Sequence, residues 1–193
     1  MSRRRCVSRI ALLVALPVAL LAGARLAAQA PADEAQIKAA FVYNFLKFVD
    51  WPADAFRNPQ DSFVVAIVGD GDTADATEHF LTAKQLGTRP ILVRRIKWDQ
   101  SLSGVLAVFV AERDSKHVRH VLEAAAAGSV LSIGEGEDFA SHGGIIGLLI
   151  ADRRVRFDID TDAAQTAGLK VSSKLLALTR IVHSSAGRTG GRP

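Results

Sequence analysis

The chain has 193 residues, with 24 basic and 20 acidic side chains, 49% apolar residues and one cysteine, Cys6. Five of the basic residues and none of the acids fall in residues 1–30, so the rest carries 19 basic against 20 acidic side chains. A body so close to neutral lacks the field needed to hold a polyanion, which argues against nucleic-acid binding. A body without thiols also excludes a disulfide framework and cysteine chemistry.

The segment 1–30 reads as a secretory signal peptide. Arg3, Arg4, Arg5 and Arg9 precede an uncharged apolar run over 10–24, and small residues follow to Ala30. That run falls short of the roughly 20 residues of a membrane-spanning helix, which disfavours an uncleaved anchor. Cleavage is expected after Ala24, Ala28 or Ala30, with Pro31 disfavouring the last. Ser2-Arg3-Arg4 leaves the twin-arginine route open beside the general one. No cysteine closes the apolar run as a lipoprotein signal would require.

Residues 33–49 read as a helix. Ile37, Phe41, Phe45 and Phe48 form one stripe, and Val42, Leu46 and Val49 form a second beside it. Trp51-Pro52 ends it, because the residue before proline avoids the helical region. Asn44 lies within the apolar stripes, so a hydrogen-bond partner is expected for it. The unbroken apolar run 63–68 suits a strand covered on both faces. A turn over 69–72, a helix over 73–81 and strands over 90–96 and 105–111 follow. Asp114-Ser115 opens a helix with Val118, Val121, Leu122 and Ala125 on one face and Gly128 as its C-terminal cap. Strands are expected at 130–133 and 145–150, with a helical turn at 138–141 between them.

The strand 154–159 has a different pattern. Val155, Phe157 and Ile159 alternate with Arg154, Arg156 and Asp158, which predicts one face on the core and one in water. With 151–153 as a tight connection, it forms a hairpin at one edge of the sheet. Thr161 and Ser172 are the expected caps of two closing helices, the second burying Leu175, Leu176, Leu178, Ile181 and Val182. Residues 183–193 read as a small, polar, disordered tail. The expectation is one α/β domain over 31–182, with a mostly parallel sheet, an antiparallel edge hairpin and helices on both faces.

Few residues suggest chemistry. Gly69-Asp70-Gly71-Asp72-Thr73-Ala74 fits a dinucleotide fingerprint in its strand-to-helix setting. However, Asp70 and Asp72 would set carboxylates beside the phosphates, so a structural turn with aspartate caps is the better reading. Asp70, Asp72 and Asp75 lack the glycine and distal glutamate of a calcium loop. His117, His120 and Glu123 share a helix face without an evident fourth metal ligand. Glu135, Glu137 and Asp138 lie in an unshielded glycine-rich loop where a raised carboxyl pKa is not expected. Ser172-Ser173-Lys174 lacks serine–lysine catalytic spacing. No catalytic, cofactor-binding or metal-binding residue is assigned.

Three ordered motifs carry a resemblance. Lys38-Ala39-Ala40-Phe41, Asn44-Phe45, Lys47-Phe48 and Trp51-Pro52 form the first. Phe139-Ala140-Ser141-His142-Gly143-Gly144-Ile145-Ile146 is the second. The third runs from Arg156-Phe157-Asp158-Ile159-Asp160 through Ala163-Ala164 to Gly168-Leu169-Lys170-Val171-Ser172-Ser173-Lys174-Leu175-Leu176. Together they resemble the YfiR-like family of periplasmic regulators over about residues 35–182. Two departures from the family's pattern stand out: the chain lacks the cysteine pairs of several members, and Asp160 occupies a position where asparagine is common. The resemblance implies a periplasmic protein, not an enzyme, that binds the extracytoplasmic domain of a membrane diguanylate cyclase and keeps cyclic-di-GMP and biofilm formation low. It further implies an outer-membrane peptidoglycan-binding partner that relieves the block. A homodimer is left open, and no cofactor is implied. The surface chosen for partner binding is Arg154, Arg156 and Asp158, with Lys170 and Lys174 nearby in sequence. The alternative is a periplasmic small-molecule-binding domain with its crevice near 69–72 and 134–137. N-terminal sequencing of the protein from the cell envelope is expected to begin between Arg25 and Pro31; a full-length cytoplasmic product would contradict export.

Overall fold

The apolar runs become the strands of one sheet, and their neighbours in sequence become the helices that cover it. The computed structural model describes residues 30–56, 58 and 60–183; the expected signal peptide, apart from Ala30, and the tail after His183 lie outside these. Helix α1 (Ala30–Lys47) leads into β1 (Val49–Asp50) and a 3-10 turn (Ala53–Ala55). Then come β2 (Phe63–Val68), α2 (Asp72–Thr82), β3 (Gln85–Leu86), β4 (Arg89–Ile96), β5 (Ala107–Val110) and α3 (Ser115–Ala127). The chain continues through β6 (Leu131–Glu135), β7 (Ile146–Ala151), β8 (Arg154–Asp160) and α4 (Thr161–Thr166). It closes with β9 (Lys170–Val171), α5 (Ser173–Leu176) and β10 (Arg180–Val182).

The main sheet has the order β10-β8-β7-β6-β5-β2-β4-β3. Its pairings are parallel except at β7–β8 and β3–β4. The expected α/β architecture, mostly parallel with an antiparallel hairpin near one end, is therefore what forms. Alternation splits each central strand between two cores. Phe63, Val65 and Ile67 of β2 meet Val42, Phe45 and Leu46 of α1, Leu81 of α2, Ala164 of α4 and Leu175 of α5. Ala66 and Val68 face the other way, onto Val121, Leu122 and Ala125 of α3. Strands covered on both faces have no solvent side to alternate with, which is why these runs are continuous.

Several local expectations are corrected. The buried face of α1 is Ala35, Lys38, Ala39, Val42, Phe45 and Leu46, whereas Ile37 is 49% exposed. Asn44 is exposed, so it needs no buried partner. The hairpin is not the last of the sheet, because β10 lies outside β8 along Asp158–Asp160. The second closing helix is only four residues long, and the chain then extends, leaving Leu178 and Ile181 exposed rather than buried. A short helix is easily ended when pairing along an open strand offers the backbone its hydrogen bonds. The first closing helix is capped by Asp160, not Thr161; its carboxylate accepts from the Asp162 and Ala163 amides. An aspartate there caps as well as asparagine would. Ser172 caps the second closing helix and Asp114 caps α3, as expected. At the end of α3, Gly128 is the cap residue, but it is Ser129 that takes the left-handed conformation, with φ 55°.

The second motif has a packing explanation. The Phe139 ring lies over Gly134 and Gly144, where any β-carbon would fall 2.2 Å from ring carbons. Gly147 makes room on the same side, with an added β-carbon 3.5 Å from the Phe139 Cβ. The glycines thus form a flat seat for one aromatic ring. Gly144→Ala is expected to cost about 1–3 kcal/mol through overpacking, read as a lowered denaturant midpoint. Gly128→Ala, whose added β-carbon would come no closer than 3.4 Å to a neighbour, is expected to cost less than about 1 kcal/mol.

Candidate functional site

A crevice opens where the strand order reverses, beyond the C-terminal ends of β2 and β4 and beside the loop after β5. Gly69, Asp70, Arg95, Trp98 and Glu112 help to line a cavity of about 410 Å³. Open α/β sheets bind ligands at such switch points. Here the lining is charged and aromatic. Gly69 has φ +88°, and a β-carbon on it would sit 2.5 Å from the Glu112 amide nitrogen. Its glycine serves the close approach of two loops rather than a pyrophosphate.

The aspartates of this turn do not cap α2, contrary to expectation. Gly71 is the N-cap and no side chain bonds there. Instead Asp70, Asp75 and Glu78 converge on Arg95 of β4. Arg95 Nη1 lies 3.4 Å from Asp70 Oδ1, Nε donates to Glu78 Oε2 at 2.8 Å, and Nη2 donates to Asp75. Burial pulls the Arg95 pKa down, but the hydrogen bonds to Asp75 and Glu78 outweigh it and raise it. A guanidinium with three carboxylates in reach is the kind of charge-assisted cluster that fixes a loop.

The histidines of α3 pack on an aromatic. His117 stacks on Trp98 with ring centroids 4.1 Å apart and 7° between planes, and His120 meets the same indole edge-on at 5.6 Å. Glu112 Oε2 lies 3.4 Å from His117 Nδ1. Its carboxyl is held below the usual range by the amides of Asp114 and Arg113, with His117 adding to the effect. Glu123 is exposed. Among the described residues no group of three histidine, cysteine or acidic side chains is arranged to hold a metal ion.

Glu135 is not unshielded. Lys38, whose side chain is 11% exposed, donates to Glu135 Oε1 at 2.7 Å, and Thr73 Oγ1 donates to the same oxygen at 3.1 Å. This joins α1, α2 and β6 at the C-terminal end of the sheet. The signal was present in the sequence: Ala35, Lys38, Ala39, Val42, Phe45, Leu46 and Val49 keep helical spacing, and the lysine occupies a core position within it. Glu137 and Asp138 remain exposed.

The five residues expected to bind a partner do not share one face. Arg154 and Arg156 are exposed on the first half of β8. Asp158, expected in water, is 3% exposed. It sits opposite Gly147, which offers no side chain, and Arg180 of β10 closes over it, with Nε 3.1 Å from Asp158 Oδ1 and Nη2 donating to Oδ2. Lys170 and Lys174 are exposed but belong elsewhere: Lys170 to β9, which pairs with β1 in a separate two-stranded ladder, and Lys174 to α5.

These features define a small α/β domain with a doubly covered sheet, whose strand-end crevice is tied up by internal ion pairs and an aromatic stack. The chain belongs to the YfiR/HmsC-like family, whose model matches residues 35–180. That family is a regulatory one, tied to the periplasm and to diguanylate cyclase signalling. No curated protein matches the chain. Among the described residues no helix is long and apolar enough to cross a membrane.

The Lys38–Glu135 pair yields a test of what holds the crevice end together. Glu135→Ala takes a carboxylate from a lysine that is nearly buried and is expected to cost about 1–3 kcal/mol. In a Lys38→Met background the same change should cost less, since the ion pair it breaks is already absent. A double-mutant cycle by denaturant unfolding reads the difference.

Proposed function

We propose that this protein is a periplasmic regulator that binds the extracytoplasmic domain of a membrane diguanylate cyclase and keeps cyclic-di-GMP synthesis, and with it biofilm matrix, low. The observation that carries the reading is the family match across residues 35–180, which takes in all three motifs. The large motif side chains go into the fold itself: Phe45, Phe157, Ile159 and Leu175 are core, and Phe139 fills its glycine seat. Exposed groups beside them, Arg154, Arg156, Lys170 and Lys174, are free to meet a partner. Asp158 belongs to the structure of that surface, holding Arg180 in place.

The reading assigns no catalytic residue and requires no cofactor. A regulator of this kind needs only unequal affinity for two states of its target. A preference of roughly 100-fold, about 2.7 kcal/mol, suffices to move a balanced equilibrium almost wholly to one side. Release by an outer-membrane, peptidoglycan-binding protein would follow from competition for the same regulator. A second reading has one observation in its favour. The cavity beside Arg95, Trp98 and Glu112 is of ligand size, and a small molecule held there would raise the melting temperature.

Deleting the gene is expected to raise cyclic-di-GMP and matrix, and the wild-type gene to restore the low level. Arg154→Glu with Arg156→Glu should fail to restore it, although surface changes of this kind typically cost less than about 0.5 kcal/mol each in stability. Unchanged cyclic-di-GMP on deletion, in a strain that makes the protein, overturns the regulatory reading.

A further inference from the structure

Strand β8 has two different outer halves. Its amides alternate between its two neighbours. The Asp160 amide donates to Ile145 on the β7 side, so Arg154, Arg156 and Asp158 also bond toward β7, and Val155, Phe157 and Ile159 turn outward. β10 covers Asp158–Asp160, and the Thr179 hydroxyl donates to the Phe157 carbonyl at 2.7 Å. Beyond that point, among the described residues, no strand pairs with β8. The amide and carbonyl of Val155 and the amide of Phe157 therefore form a short open edge. Asp152 and Arg153, with φ 52° and 58°, make the tight turn that ends it.

Part of the exposed apolar surface lies at the same place. Among the described residues the large apolar side chains left exposed are Ile37, Leu92, Ile150, Leu178 and Ile181. Only Leu92, on β4, lies toward the opposite end of the sheet. Ile150 is the cross-strand partner of Val155 and Leu178 precedes the threonine bonded to Phe157, whereas Ile181, paired with Ile159, lies on the half that β10 covers. Ile37 reaches the same level by helix geometry. Phe41 packs on Phe157 with centroids 5.9 Å apart. One turn along α1 carries Ile37 about 6 Å beyond Phe41, and two strand residues carry Val155 about 7 Å beyond Phe157. An exposed apolar cluster beside unpaired backbone marks an interaction surface, not a random scatter.

We infer that this edge takes up an extended segment of the protein's macromolecular partner as an added β-strand, and that the segment alternates acidic with apolar residues. The inference rests on the regulatory reading above and deepens it. Residues opposite Arg154 and Arg156 share the arginines' side of the sheet, where opposite charge is favoured; residues opposite Val155 share the apolar side. A second copy of this chain is the wrong occupant. Antiparallel pairing of β8 with itself about Val155 sets Arg154 directly across from Arg156, and like charges so placed destabilise a ladder.

The test uses the full chain in its own cell envelope. A photoreactive residue at Arg156 is expected to crosslink to a diguanylate cyclase identified by mass spectrometry, whereas one at Leu92 is not. Val155→Pro removes only the outward amide and leaves the β7 ladder intact, the edge position in which proline is tolerated. It should cut the Arg156 crosslink at least tenfold and fail to lower cyclic-di-GMP, while Val155→Ala keeps both. Should the proline variant not fold, Arg154→Glu with Arg156→Glu gives the same reading. A crosslink from Arg156 only to a second copy or within the chain overturns the inference. So does full complementation by folded Val155→Pro, and in that case the regulatory function stands. Cyclic-di-GMP unchanged on deletion removes both.

Discussion

Phe45 of α1 is wholly buried, with its ring edge-on to Phe157 of β8 at 5.0 Å, and Phe41 leans on the same ring. This contact brings the first helix against a strand more than 100 positions later, and much else depends on it. Once α1 lies there, Val49–Asp50 can pair with Lys170–Val171, and the Ser172 amide donates to the Phe48 carbonyl at 2.8 Å. The Trp51 indole donates to the Leu106 carbonyl at 3.0 Å and meets Phe63 edge-on. Aromatic pairs of this geometry are worth about 0.5–1.5 kcal/mol each beyond their burial. A chain with no disulfide in its body has to close its ends by such packing.

The same contact explains why the first and third motifs belong together. One supplies the helix and β1, the other supplies Phe157, the cap Asp160 and β9, and each is half of a single seam. The second motif serves both cores: Phe139 and its glycines pack on the opposite side of the sheet, while Ile145 and Ile146 join the core of Phe45 and Phe157, with Ile146 paired to Ile159. The large side chains of the family patterns here record packing.

Charge is distributed to the same end. Asp70, Asp75 and Glu78 are drawn onto Arg95, Glu135 onto Lys38, and Asp158 onto Arg180. Much of the acidic surface near the strand ends is thereby neutralised within the chain. Arg154 and Arg156, at the start of β8, stay exposed outside these pairs.

Much of the architecture was legible in the sequence. Continuous apolar runs announced strands covered on both sides, helical spacing announced α1 and α3, and the ordered motifs announced the family. The sequence also held Lys38 in a core register, a signal easily passed over because lysine rarely occupies one. What only the tertiary structure decided was the neighbourhood of each strand's edge. Side-chain alternation reports the two faces of a strand, but its hydrogen-bonding edges consist of backbone, which is the same for every residue. Nothing in Asp158 distinguished a solvated carboxylate from one closed under Arg180, because the difference lies in where β10 pairs. For the same reason the five candidate partner residues, near one another in sequence, separated in space: three lie on β8, one of them buried, and two followed the chain onto other elements.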